Sequence, residues 1–355
     1  MTIVDRIRRA LTGAAVIAVL AGCGGGASSP TVQAGSAALG SVAAQARAHG
    51  LPEVPAPLHG SLPSDHRLSW MSPQAKTSAT LLYVADEATG DVYVYSYPAG
   101  KLVGTLSGFN TPSGLCSNKA GDVFVLNGGG TTIEVFAHGG STPLRTLDVP
   151  GYPELNCSVD PKTGDLAVGA LDGNCGDCVA IFPNAQGQPV TYTPSGQEGL
   201  PGCGYDERGN LFCDAYGTDN HNFELYELPA GGTGFTKLAV NASAIHAGSL
   251  QWDGEYLAVE SSATGVIYQI AVSGSTGTVE GSTTLGDVGD VWQFWIAGAN
   301  GKKQGKRVVA PSYAGSNGIA GAGYWDYPAG GDPTKTITGS YFAQPDGATL
   351  STLKS

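Results

Sequence analysis

The feature that most restricts this chain is a unit of about 45 residues that recurs along most of its length. A tight turn feeding an apolar strand appears as Gly121-Asp122-Val123-Phe124, Gly164-Asp165-Leu166, Gly209-Asn210-Leu211-Phe212 and Gly254-Glu255-Tyr256-Leu257, at intervals of 43, 45 and 45 residues. Some residues ahead of each stands a second signal: Pro112-Ser113-Gly114, Pro153-Glu154-Leu155, Pro201-Gly202-Cys203 and Ala247-Gly248-Ser249. A third signal ends a strand: Tyr97-Pro98-Ala99-Gly100, Phe136-Ala137-His138-Gly139, Phe182-Pro183-Asn184, Leu228-Pro229-Ala230-Gly231 and Tyr327-Pro328-Ala329-Gly330, with Ile270-Ala271-Val272-Ser273 as a weaker copy. Strict alternation in Val92-Tyr93-Val94-Tyr95-Ser96-Tyr97 is that of a half-buried strand. Each unit therefore reads as four short strands. Such a unit cannot bury its faces alone, and stacking it side by side gives the blades of a β-propeller.

Units begin near residues 112, 153, 201, 247 and 290. Residues 81–108 hold three strands but lack a first one, and Pro345-Asp346-Gly347-Ala348-Thr349-Leu350 supplies it from the other chain end. The expected fold is all-β: a six-bladed β-propeller of four-stranded blades, its ring closed by pairing a C-terminal strand with N-terminal strands. Closure removes the open strand edge that invites aggregation. The last full unit is long and irregular, with Gly- and Ala-rich stretches at 298–305 and 314–323, and this keeps seven blades as the alternative. The pattern over residues 81–350 resembles NHL-type and related six-bladed propellers. It also resembles a group of bacterial lipoproteins with Tyr-Pro-Ala-Gly-Gly repeats, a resemblance that implies no function.

Composition agrees. The 355 residues include 54 Gly and 21 Pro but only 14% charged residues, unlike a helical or coiled-coil protein. A net charge of −12 argues against a nucleic-acid partner held through phosphates. With 41% hydrophobic residues the chain can form a core.

The N-terminus reads as an address. Arg6, Arg8 and Arg9 precede an apolar run over residues 10–21 that is too short to span a bilayer. Leu20-Ala21-Gly22-Cys23 resembles the bacterial lipoprotein lipobox. That resemblance implies cleavage before Cys23, fatty acylation of Cys23 and anchoring of an exported protein in the bacterial cell envelope, in the outer membrane where the cell has two. The expected organisation is a signal peptide over 1–22, a Gly/Ala/Ser/Pro-rich tether over 23–78 and the propeller over 79–355. Trp70 and Met71 are the apolar exceptions in the tether and are expected to pack onto the domain.

Six cysteines remain, an even number in an exported chain. Cys203 and Cys213 flank a turn symmetrically and should face each other across a hairpin. Cys175 and Cys178 are expected to staple a loop, and Cys116 pairs with Cys157 across neighbouring blades by default.

Loops entering the first strands converge at one end of a propeller's channel. Here they carry Asn110, Tyr152, Glu154, Asn156, His246, Asp290, Trp292 and Asp346. Oxygen donors of this kind suit calcium, and His246 with carboxylates suits zinc. The plainer reading is that these residues cap loops and bond neighbouring blades. Asp86, Asn127, Asp214 and Glu260 recur at the end of the second strand, where a short acceptor binds the free N–H groups of the next loop. Asp172-Gly173-Asn174 with Asp177 has a trace of calcium-loop spacing but no downstream Glu, so a stapled turn is expected.

No nucleophile elbow, zinc-protease helix or phosphate loop is present in the sequence. The expectation is a monomeric, envelope-anchored, non-catalytic propeller that binds a protein, peptide or glycan without a resident cofactor. The alternatives are a metal-dependent hydrolase or lyase working at the channel mouth, and a structural envelope protein.

Overall fold

The computed structural model describes residues 68–353, apart from 174, 218–222, 242–244, 262–263, 299–304 and 314–319 and the side chains of residues 154, 172, 173 and 198. The expected signal peptide, Cys23 and most of the expected tether lie outside the described residues. The described residues belong to one packed unit, Asp65–Ser355.

Its strands form six four-stranded antiparallel meanders, the blades of a β-propeller. Blade one takes Thr80–Asp86, Asp91–Ser96 and Lys101–Ser107 from the N-terminal side and Pro345–Thr352 as its first strand. Blades two to six follow in chain order, with first strands Pro112–Ser117, Tyr152–Val159, Gln197–Tyr205, Leu250–Trp252 and Trp295–Ala297. No seventh meander occurs among the described residues. Ring closure has the expected form: Leu82 faces Leu350 and Val84 faces Ala348 in one antiparallel register. Blades four and five share a sheet, because Ala239 and Val240 pair in parallel with Thr276 and Gly277.

First strands line the channel and start together at what we call its upper end. The loops between blades, and those joining second to third strands, lie at this end as well. Turns between first and second strands form the lower end.

Packing explains the recurrent glycines of the Pro-x-Gly signal. A Cβ on Gly347 of blade one would stand 2.1 Å from the Ser113 carbonyl oxygen of blade two. A Cβ on Gly114 of blade two would stand 2.1 Å from the Leu155 carbonyl oxygen of blade three, and one on Gly202 of blade four 2.3 Å from that of Gly248 of blade five. First strands of successive blades thus approach backbone to backbone. The Gly-Asp turns have their own cause. Gly121, Gly164, Gly209 and Gly254 adopt positive φ, and Asn118, Asp160, Asp206 or Asp253 accepts backbone N–H groups of the same turn.

Apolar side chains fill the spaces between blades. Leu82, Val84, Val309 and Tyr324 pack between blades one and six, and Phe124, Leu126, Val168 and Ala180 between two and three. Trp70–Met71 pairs with Thr105 and Gly104 as a fifth, outer strand of blade one. Gly104 makes room for it, since a Cβ there would meet the Met71 sulfur at 2.1 Å. The fold therefore reaches further toward the N-terminus than a boundary at residue 79, because this strand covers an outer edge.

Three disulfides join the expected pairs. Cys116–Cys157 ties the first strands of blades two and three, with Cα atoms 5.5 Å apart. Cys175–Cys178 staples the loop opening the third strand of blade three. Cys203–Cys213 bridges directly opposed residues of a hairpin. Such usage belongs to an oxidising compartment. Among the described residues no helix is long and apolar enough to cross a membrane.

Candidate functional site

The channel is crossed midway by two amides. Asn156, from blade three, donates to the Leu250 carbonyl of blade five (3.0 Å) and accepts from the Cys203 N–H of blade four (2.7 Å). Gln293, from blade six, donates to the Leu115 carbonyl (2.6 Å) and accepts from the N–H groups of Leu115 (3.0 Å) and Ala348 (2.9 Å), reaching blades two and one. The two residues occupy the same position in units that stand opposite each other in the ring. Asn156 is 4% exposed and Gln293 2% exposed, and their polar atoms are engaged with backbone. Asn156 thus sits at the channel waist rather than at its mouth. Gln293 was not among the residues singled out from the sequence, although its position three residues into its unit matches that of Asn156.

At the upper end the other expected residues separate into holders and carboxyls. Asn110 is exposed and donates to the Gly129 carbonyl (2.5 Å), while its own N–H donates to Asn127 Oδ1 (2.7 Å), so it ties down a loop of blade two. His246 is exposed, with its backbone N–H on Ser261 Oγ (3.1 Å). Tyr152 and Trp292 are half-buried. Glu154 lies in the first strand of blade three, and its side chain is outside the described ones. Asp290 exchanges backbone hydrogen bonds with Tyr313 (3.1 and 3.2 Å). Asp346 accepts from Gln344 Nε2 (3.3 Å) and stands against the Glu87 carboxyl. Burial and the neighbouring Glu87 push its carboxyl well above the usual range. Burial, with the charges of Asp290 on blade six and Asp346 on blade one, raises the Tyr313 hydroxyl above its usual range.

The recurrent acceptors bind backbone N–H groups in three blades, but among the described residues the expected donor in the next loop is found only for Asp86; Asn127 and Asp214 reach amides of a loop between blades or of a first strand. Asp86 accepts from Thr89, Ala343 and Gln344. Asn127 accepts from Asn110, and Asp214 from Gly202 (2.9 Å) and Gly248 (2.8 Å). Glu260 departs from this pattern. It is 0% exposed, and neither carboxyl oxygen has a hydrogen-bond partner. Burial, with the charges of Asp214 and Asp290 on the flanking blades, holds its carboxyl well above the usual range.

Carboxyls occur at both ends of the channel, but the described cations do not. Described Lys and Arg residues lie in the lower turns, at the lower starts of strands, or on the outermost strands; none lies in an upper loop. Several are tied there: Lys119 Nζ donates to the Pro161 carbonyl, Lys162 Nζ to that of Arg208, and Arg145 Nε to that of Ala185. Below the amide pair the channel widens into a funnel of about 1150 Å³, walled in part by Ser117, Ser158, Trp252, Trp295 and Leu353. Trp295 packs on the clusters of both flanks of the ring. Asp177, from the suspected calcium loop, accepts from the Gly199 N–H (3.1 Å) and so fastens blade three to blade four. Among the described residues no three His, Cys, Asp or Glu side chains form a group able to hold a metal ion.

No protein-family model matches the sequence, and no curated protein matches it. Solved structures do resemble the fold. A chain from the crystal structure of a nidogen/laminin complex superposes with a TM-score of 0.61 at 14% identity, covering 78% of this chain and all (100%) of the other. A protein of unknown function from Bacteroides caccae gives 0.55 at 13% identity, covering 77% and 99%. At these identities the likeness is one of fold.

Proposed function

We propose that this protein is an exported, lipid-anchored binding module, with Cys23 as the acylated residue and the upper loop face of the propeller as the surface that takes a protein, peptide or glycan. The observation that carries this reading is the division of labour among polar side chains. Asn156, Gln293, Asp86, Asp177 and Asp214 are committed to backbone groups of the fold, whereas the upper loops carry carboxyls such as Glu87 and hold no described Lys or Arg. A surface of one charge sign favours association with a complementary partner. The nidogen/laminin crystal places a fold of this kind in a protein complex, which is consistent with binding.

The test is direct. The full chain is screened against peptide and glycan arrays and, in parallel, against ester, lactone and glycoside substrates with and without added zinc or calcium. Saturable binding without turnover supports the reading. Turnover that is lost in a chelator and in His246→Ala refutes it in favour of the metal-dependent hydrolase. Anchoring is tested separately: Cys23→Ala should move the protein from the membrane fraction to the soluble exported fraction, and a variant that stays with the membrane refutes the lipid.

A further inference from the structure

We propose that Cys175–Cys178 is a thiol–disulfide exchange site, opened by a dithiol, and that its opening loosens the upper mouth of the channel between blades three and four. The proposal goes beyond the reading of the loop face as a binding surface and does not depend on it.

Three observations lead there. First, of the three disulfides among the described residues, this one alone has a cysteine that solvent reaches. Cys175 is half-buried, whereas Cys116, Cys157, Cys203 and Cys213 are each 4% exposed or less. Exchange needs a thiolate to reach a sulfur, so an accessible disulfide is the labile one. Second, its cysteines are 3 residues apart, against 10 and 41 in the other two. A disulfide that closes so short a loop adds least to the fold, and the fold in turn resists its opening least. Third, the bridge encloses a contact between blades. Asp177 lies between the two cysteines; its Oδ2 accepts from the Gly199 N–H of blade four (3.1 Å), and its carbonyl accepts from Gln197 Nε2 (3.1 Å). Gly199 has a φ of 78° and stands where the first strand of blade four loses register with the second, between Glu198 and Gly202. With that ladder interrupted, the Asp177 loop is what steadies this stretch from the side of blade three.

The exchange balances as follows. One thiolate of the dithiol attacks Cys175 Sγ, the bond to Cys178 breaks, and Cys178 leaves and takes up a proton. The second thiol attacks the reagent's own sulfur in the mixed disulfide, closes the reagent's disulfide and releases Cys175 as a thiol. Two electrons and two protons pass from the dithiol to the protein. Cys178 stays in place, because it faces Ala170 in the sheet and is 0% exposed. Cys175 lies in the turn just ahead of that strand, Gly176–Phe182, so the freed turn lets the Gly176–Asp177 end fray and Asp177 leaves Gly199.

The experiment treats the full chain with graded dithiothreitol and reads each cysteine by differential alkylation and mass spectrometry. Cys175 and Cys178 should become reduced at concentrations about tenfold or more below those that open the other two pairs. In the protein with this one pair reduced, amide hydrogen exchange over residues 197–201 should speed by about tenfold, while exchange in Thr80–Asp86 stays unchanged. Asp177→Ala should show the fast exchange while still oxidised and gain nothing on reduction. Cys175→Ser combined with Cys178→Ser should match the reduced protein, with thermal melts confirming that each variant is folded; the reduced natural chain makes the same comparison where that variant does not fold. The inference is overturned if the three disulfides open together, if a buried one opens first, if reduction leaves exchange over 197–201 unchanged, or if oxidised Asp177→Ala exchanges like the oxidised natural chain.

Discussion

Glu260 and Gln293 are both buried polar residues of the channel, and their accounts have opposite sign. Gln293 meets three backbone groups from two other blades, so Gln293→Ala should destabilise the domain by about 2–3 kcal/mol, read from denaturant melts. Glu260 meets none. Its carboxyl titrates higher in the folded chain than in the unfolded one, where the ordinary value is 4.5. The folded state therefore binds the proton more tightly, and this group's contribution is fully present below about pH 4.5 and lost as pH rises toward the folded value. Glu260→Gln should raise the melting temperature at about pH 8 and leave it nearly unchanged at about pH 4.5; an equal effect at both would contradict the assignment. The sequence made an acceptor role of Asp86, Asn127 and Asp214 legible, because each is a short polar side chain near a strand end, but it placed the donors in the next loop, whereas Asn127 and Asp214 bind amides of a loop between blades or of a first strand. It could not separate Glu260 from them. Whether a longer side chain finds a donor depends on the neighbouring blade, which local spacing does not encode.

At the scale of strands, the closing element is the one with the most leverage. Pro345–Thr352 pairs along its length with Thr80–Asp86, and it also carries Ser351, which bonds His138 and the Gly121 carbonyl of blade two. Deleting residues 344–355 should abolish the cooperative thermal transition, and a truncated chain that melts like the full one would refute the closure. The Cys116–Cys157 bridge spans 41 residues and links two blades, so replacing both cysteines by Ala should cost about 3–4 kcal/mol in denaturant melts. Replacing Cys175 and Cys178, only 3 residues apart, should cost less. Strand count, closure and cysteine pairing were readable because each rests on a repeated spacing. The Trp70–Met71 strand was less so. Two residues carry no periodicity, and their pairing depends on the space left by Gly104 on a strand more than thirty residues away.

On the scale of the whole molecule, the ring is closed by contacts that cross it. Asn156 and Gln293 bind backbone groups of blades four, five, one and two, so a change in one first strand is felt in strands that are not its neighbours. The repeat predicted the ring, but not which end would carry the cations. Turn chemistry explains that outcome in part: the lower turns place Lys162 and Arg208 beside capping carboxylates and Lys119 beside the Asn118 cap, while the described upper loops hold no Lys or Arg. One consequence concerns orientation. Carboxyls stand at both ends of the channel axis but the described cations gather toward one, so the two ends differ in charge and the molecule has an electric moment along that axis. Near a sheet of negative charge, such as an anionic lipid leaflet, the field exerts a torque that turns the cation-poor end outward, and the torque fades beyond a distance of about 10 Å as salt screens it. A protein held on a leash at such a surface would thus present its loop face to the medium without any contact to set its pose.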